Sequence, residues 1–196
     1  MDVDAIWDRK LHIRTTGKEN GTDFVRYPYE ATDYRILEEL AQKEYIGHQN
    51  TVVDYGCGKG RVVYYLSYKT HCRSIGIEYN PNLFRCALAN QKSALSSSLV
   101  SIRCVDAMDF EIPPQADRFY FFNPFSPEIF KQVLANIIGS WTTQRRRMLF
   151  FLYYPAPSYI EYLSGFRRFT QIDVIRPRSL LSLRDDRENI TVFQWP

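Results

Sequence analysis

The chain has 196 residues, a net charge of +3, 45% hydrophobic and 15% aromatic residues, which predicts one domain with a real core and excludes global disorder. Its mildly basic balance is too weak to indicate a nucleic-acid partner by itself, and no apolar run of about 18 residues announces a membrane span. Cys57, Cys72, Cys86 and Cys104 show neither C-x-x-C nor zinc-site spacing with the scattered histidines, so no metal site is expected; the thiols read as reduced, in a cytoplasmic protein.

The opening "MDVDAIWDRK" is acidic and polar, unlike a signal peptide. Residues 1–29 carry no sustained periodicity, and "TTGKENGTD" reads as loop. Tyr34, Leu37, Leu40 and Ala41 then recur at helical spacing, with Thr32 or Asp33 placed to cap. From there strands and helices alternate. "TVVDY" (51–55) is a short β-branched run suited to a strand buried on both faces. A helix over 61–69, a strand over 73–79 and a helix over 81–95 opening on proline follow. Strands are expected over 99–106 and 117–123, a helix over 126–141, and a strand over 146–154. A short helix in "APSYIEYLSG" leads to two closing strands, 169–175 and 189–195, joined by a charged loop. The alternation implies βαβ units and a parallel sheet, with an antiparallel, hairpin-like end. No composition shift divides the chain, so a single domain is expected: an arm and helix over 1–48 and a core over 49–196.

The chemistry gathers at the expected carboxyl ends of the strands, where open parallel sheets bind ligands. "VVDYGCGKGR" places Gly56, Gly58 and Gly60 directly after the first strand, with Asp54 two residues ahead. A dinucleotide fingerprint needs G-x-G-x-x-G, but Arg61 stands where its third glycine belongs; a P-loop also fails. An acid facing the loop would repel pyrophosphate and suits a cationic ligand such as an amine or a sulfonium. Glu78 ends the second strand, where an acid accepts from ribose hydroxyls. Asp106 ends the third and has acceptors for an adenine amino group. "FFNPF" (121–125) ends the fourth.

This ordered set, Asp54-x-Gly56-x-Gly58-x-Gly60, Glu78, Asp106-Ala107 and Asn123-Pro124-Phe125, resembles the class I S-adenosylmethionine-dependent methyltransferases over roughly residues 50–155. Upstream, "YEATDY" (29–34) is similar to a Tyr-Glu-Pro-Thr element in a group of bacterial methyltransferases, with Ala31 in place of proline. The resemblance implies a Rossmann-like, three-layer α/β/α domain whose seven-stranded, mostly parallel sheet runs 3-2-1-4-5-7-6. It implies S-adenosyl-L-methionine as cofactor. Asp54 and Gly56–Gly60 would hold the methionine portion, with Tyr29 and Thr32 facing it. Glu78 would take the ribose, Tyr79 or Asn80 would flank the adenine, and Asp106 with Ala107 would read it. The N-terminal arm would close over the cofactor.

Methyl transfer asks the protein mainly to position and orient. The Asn123 side-chain oxygen and the Pro124 carbonyl are acceptors that would aim an amine lone pair, and Phe125 would stack on a planar substrate. One proline fewer than in the Asn/Asp-Pro-Pro-aromatic motif leaves the acceptor open: nitrogen on protein, nucleic acid or a small metabolite. Glu30 and Asp109 read as solvated or capping acids, not as a general base. Tyr153 and Tyr154 either line the substrate pocket or pack within their strand. Cys57 has no histidine partner and reads as a small filler. The basic clusters at 145–147, 167–168 and 176–178 read as a solvated rim, giving weak support for nucleic acid. Two alternatives stand beside a methyltransferase: a cofactor-binding module without catalysis and, against the displaced glycine, a nicotinamide oxidoreductase.

Overall fold

A computed structural model describes residues 2–17, 27–177 and 187–196. Parts of the expected loops at 15–23 and 176–188 lie outside these residues. Seven strands form one sheet in the order β3-β2-β1-β4-β5-β7-β6, as the resemblance implied. They are β1 (Thr51–Tyr55), β2 (Arg73–Glu78), β3 (Val100–Cys104), β4 (Ala116–Phe121), β5 (Met148–Tyr153), β6 (Thr170–Ile175) and β7 (Ile190–Trp195). The first five pair in parallel, and β7 runs antiparallel between β5 and β6. The strands end earlier than the sequence suggests: β3 at Cys104 and β4 at Phe121, because the chain must turn before the residues that face the cleft.

Alternating side chains of the central strands feed two cores. Val52, Tyr120, Leu149 and Phe151 pack on one face with α2 (Tyr34–Gln42), α3 (Arg61–Thr70) and α4 (Pro81–Gln91). Val53, Tyr55, Phe119 and Phe150 pack on the other with α5 (Pro127–Thr143) and α6 (Pro157–Ser164). The result is a three-layer sandwich with the Rossmann-like methyltransferase arrangement.

A further helix, α1 (Val3–Leu11), stands where no periodicity was evident. Its buried residues are only Asp8 and Leu11, so it carries almost no apolar stripe. Polar anchors hold it instead. Asp2 caps it by accepting from the Asp4 amide, and Asp8 accepts from the Thr15 amide (2.6 Å), the Thr15 hydroxyl (2.7 Å) and the Tyr34 hydroxyl (2.6 Å). Trp7 stacks near Tyr34 and meets Tyr65 edge-on, with ring centres 5.9 and 5.0 Å apart. The arm is therefore a docked structural element on the face that also carries Asp54 and Glu78.

Candidate cofactor and acceptor cleft

Parallel pairing aligns Tyr55 of β1 with Ile77 of β2 and Phe121 of β4, so the loops after these strands emerge at one edge. They bound a cleft of about 770 Å³, counting the part open to solvent, a size ordinary for a small-molecule site. Glu78, Tyr79, Asp106 and Ala107 line one end; Asn123 and Pro124 line the other. Residues far apart in sequence thus border one cleft.

Adjoining this cleft, and sharing Gly56 and Phe122 with it, lies a smaller cavity of about 270 Å³, again counting the part open to solvent, whose walls also include Thr32, Asp54 and Arg61. Asp54 is 3% exposed, and its Oδ2 has no hydrogen-bond partner among the described residues. Burial, and secondarily the Glu78 charge, push its carboxyl from 3.8 up to about 8. The Glu78 carboxylate is already engaged: Oε2 accepts from the Gly58 amide and Oε1 from the Asn80 amide, both at 2.8 Å. Burial raises its pKa, and those amides oppose the rise.

The glycine loop is shaped by the protein's own side chains. Its three glycines all have left-handed φ, at +77° (Gly56), +55° (Gly58) and +88° (Gly60). A Cβ at Gly56 would meet the Pro124 ring at 2.6 Å; one at Gly60 would meet the Tyr64 ring at 2.6 Å; one at Gly58 would collide with the edge of the Tyr29 ring. Only Gly56 lines the cleft, whereas Gly58 and Gly60 are covered by tyrosines. The loop amides are also committed. Those of Gly56 and Cys57 donate to the Ile77 carbonyl (2.9 Å each), that of Gly58 to Glu78 (2.8 Å), and that of Gly60 to the Cys57 carbonyl (2.8 Å). A pyrophosphate cradle needs such amides pointing at the ligand. The Cys57 thiol is buried and pushed well above its ordinary pKa by that burial, consistent with a filler.

Tyr29 is fixed by donating its hydroxyl to the Thr15 carbonyl at 2.6 Å. Thr32 sits at the floor of the small cavity, its hydroxyl 3.2 Å from that of Tyr120. Asp106 lies in the turn beyond β3, where its Oδ1 accepts from the Met108 amide at 2.9 Å.

The polar groups of the Asn-Pro-Phe segment have partners within the chain. Asn123 Nδ2 donates to the Tyr154 carbonyl (2.5 Å), and Oδ1 accepts from the Ala156 amide (2.9 Å). The Pro124 carbonyl accepts from the Tyr27 amide at 3.3 Å. Both acceptors assigned to the nucleophile from the sequence thus already serve the backbone. Phe125 is largely buried, its ring edge-on to that of Phe121, and it also borders the cleft. Asn123 and Tyr154 both hold left-handed φ, +39° and +48°, and clasp each other across two strand ends. For tyrosine that conformation is strained, which here fixes the rim of the cleft.

Phe122 escaped the sequence reading. It borders the main cleft, the small cavity and two outer depressions, and its ring centre is 4.5 Å from that of Tyr153. Its position one residue before the motif was the available signal. Glu30 also borders all four spaces, whereas Asp109 lines none of them. Arg146 of the basic run is spent internally, donating to the carbonyls of Ala116 (2.6 Å) and Gln144 (2.8 Å).

No protein-family model and no curated protein sequence matches the chain. Solved structures do resemble it. An RNA methyltransferase from Salinibacter ruber, in complex with S-adenosyl-L-homocysteine, superposes with a TM-score of 0.57 at 17% identity, over 85% of this chain and 92% of that one. A precorrin-6y C5,15-methyltransferase from Geobacter metallireducens gives 0.61 at 13% identity, over 85% and 90%. An rRNA methylase from Streptococcus thermophilus gives 0.57 at 13%, over 81% and 92%. At these identities the likeness establishes the fold. The named acceptors of these neighbours differ, so the fold does not select one. Among the described residues no helix is long and apolar enough to cross a membrane.

Proposed function

We propose that the chain is a methyltransferase dependent on S-adenosyl-L-methionine. The observation that carries this reading is the buried, unpartnered carboxylate oxygen of Asp54 in the cavity beneath the glycine loop. A buried polar group without a partner is costly, and a ligand bearing a cationic nitrogen would satisfy it. Committed loop amides and the negative charge behind them disfavour a nicotinamide dinucleotide, whose pyrophosphate needs the opposite arrangement.

Asp54 would hold the amino group, Glu78 the ribose, and Tyr79 with Asp106 and Ala107 the adenine; Thr32 would shape the floor. Tyr29 backs the loop at Gly58, Tyr64 backs it at Gly60, and Gly56 gives the close approach. The cofactor supplies an activated methyl group on a sulfonium. The protein's part is to orient the acceptor and exclude water. Pro124 and Phe125 shape that wall of the cleft, and Asn123 positions it by clasping the loop after β5.

The acceptor is proposed to be an amine. The depression beyond Phe122 and Tyr153 is bordered by four carboxylates, those of Asp4, Glu30, Asp33 and Glu188, and by no basic side chain among the described residues. Asp4 and Asp33 are paired with Arg61 and Arg35, so Glu30 and Glu188 carry most of the rim's attraction for an amine, which arrives as an ammonium and must lose its proton before it attacks. A cation of the chain already rests nearby: the Arg187 guanidinium carbon lies 4.2 Å from the Tyr154 ring centre.

One observation favours a second reading, cofactor binding without transfer: Asn123 and Pro124 already give their acceptors to backbone amides. The test is transfer of radiolabelled methyl from the cofactor into cell fractions treated with protease or nuclease. Protease-sensitive or small-molecule label supports the amine reading. Binding with no label in any fraction supports the second, and nuclease-sensitive label overturns the amine assignment.

A further inference from the structure

Arg61, the first residue of α3, is 2% exposed. A guanidinium stays charged and offers five donors. Nε donates to the Thr15 hydroxyl at 2.7 Å, and Nη1 donates to the Thr32 carbonyl at 2.9 Å and pairs with Asp4 at 2.9 Å. Its carbon lies 4.4 Å from the Tyr34 ring centre. Nη2 has no hydrogen-bond partner among the described residues; Asp8 Oδ1, at 4.0 Å, is beyond hydrogen-bond reach.

Two buried ionisable side chains, each with one unpartnered polar atom (Asp54 Oδ2 and Arg61 Nη2), therefore border the same small cavity. A simple cation would satisfy one and an anion the other. A zwitterion satisfies both: its ammonium meets the Asp54 carboxyl, which gives up its proton, and its carboxylate meets the guanidinium.

We propose that Arg61 is the residue that reads the α-carboxylate of the cofactor, opposite Asp54 on the α-amino group, and that the N-terminal arm positions it for this. The inference rests on the proposed function and adds a residue the glycine-loop motif does not contain. Asp4 and Thr15, both from the arm, fix Nη1 and Nε and leave Nη2 without a hydrogen-bond partner among the described residues. The arm thus acts on the amino-acid end of the ligand through one guanidinium.

The experiment is calorimetry on the full chain with three ligands. These are S-adenosylhomocysteine, its decarboxylated analogue, and 5′-methylthioadenosine, which lacks the amino-acid end. Wild type is expected to bind S-adenosylhomocysteine roughly ten- to a hundredfold tighter than the decarboxylated analogue, the range of a charged hydrogen bond. Arg61→Met should erase that preference and keep the affinity for 5′-methylthioadenosine. Arg61→Met removes two anchors of the arm, at Asp4 and Thr15, so Thr15→Val, which frees Nε and also removes the hydroxyl bond to Asp8 while keeping the guanidinium, gives a second readout: a smaller preference with unchanged 5′-methylthioadenosine binding. Equal binding of the two amino-bearing ligands to wild type overturns the inference and leaves the proposed function standing. A preference that survives in a folded Arg61→Met protein overturns it too. No uptake of any of the three overturns the proposed function with it.

Discussion

The ring of Tyr29 occupies the space that a side chain at Gly58 would need. The tyrosine comes from the segment before α2 and the glycine from the loop after β1, so the bare backbone accommodates the protein's own upstream segment. Tyr29 in turn donates its hydroxyl to the Thr15 carbonyl, joining that segment to the arm. The glycine loop is a packing junction as well as a wall of the cleft.

Gly58→Ala should therefore destabilise the fold through two costs, a left-handed φ of +55° and a collision with the half-buried Tyr29 ring. The expected loss is about 1–3 kcal/mol, read by chemical denaturation. Tyr29→Ala in the same background should recover part of it, because the collision is removed while the strain stays. Full additivity of the two changes would contradict the contact.

Asp54→Asn should trade affinity for stability. The folded chain keeps the Asp54 proton up to about pH 8, whereas the unfolded chain loses it near 3.8. Between these values the folded state binds more protons, so this group makes stability fall as pH rises. The asparagine variant should match wild type near pH 4 and exceed it increasingly toward pH 8, in thermal melts across that window. Its affinity for S-adenosylhomocysteine should drop roughly tenfold or more, as for loss of a charge-assisted hydrogen bond. In wild type, a bound ammonium favours the ionised carboxylate, so binding should release a proton and strengthen from pH 6.5 to 8.

Asn123→Ala leaves the Ala156 amide and the Tyr154 carbonyl without their partner. A loss of about 1–3 kcal/mol in stability is expected, together with reduced methyl transfer. Reduced transfer at unchanged stability would instead assign Asn123 a direct contact with the nucleophile.

Phe122→Ala should open the wall between the cofactor cleft and the outer depressions. Transfer to the acceptor is expected to fall more than affinity for S-adenosylhomocysteine, measured side by side. An equal fall in both would place the ring against the cofactor alone.

Much of the frame was legible from sequence because it depends on local pattern. "TVVDY" coincides with β1, and the closing strands were separated from the parallel set by the short span between them. What escaped depends on partners distant in the chain. The helix α1 has polar anchors instead of an apolar stripe, so its docking through Asp8 to Tyr34 left no periodic trace. Asn123 is spent on residues 31 and 33 positions away, which no motif encodes. The donor arrangement of Arg61 depends on Asp4, Thr15 and Thr32 converging from the arm and the segment before α2.

The most direct test of the central claim is titration calorimetry of the full chain with S-adenosylhomocysteine, alongside NAD. One S-adenosylhomocysteine should bind per chain, with no heat from NAD. Silence with S-adenosylhomocysteine, or saturable heat from NAD alone, would contradict the account.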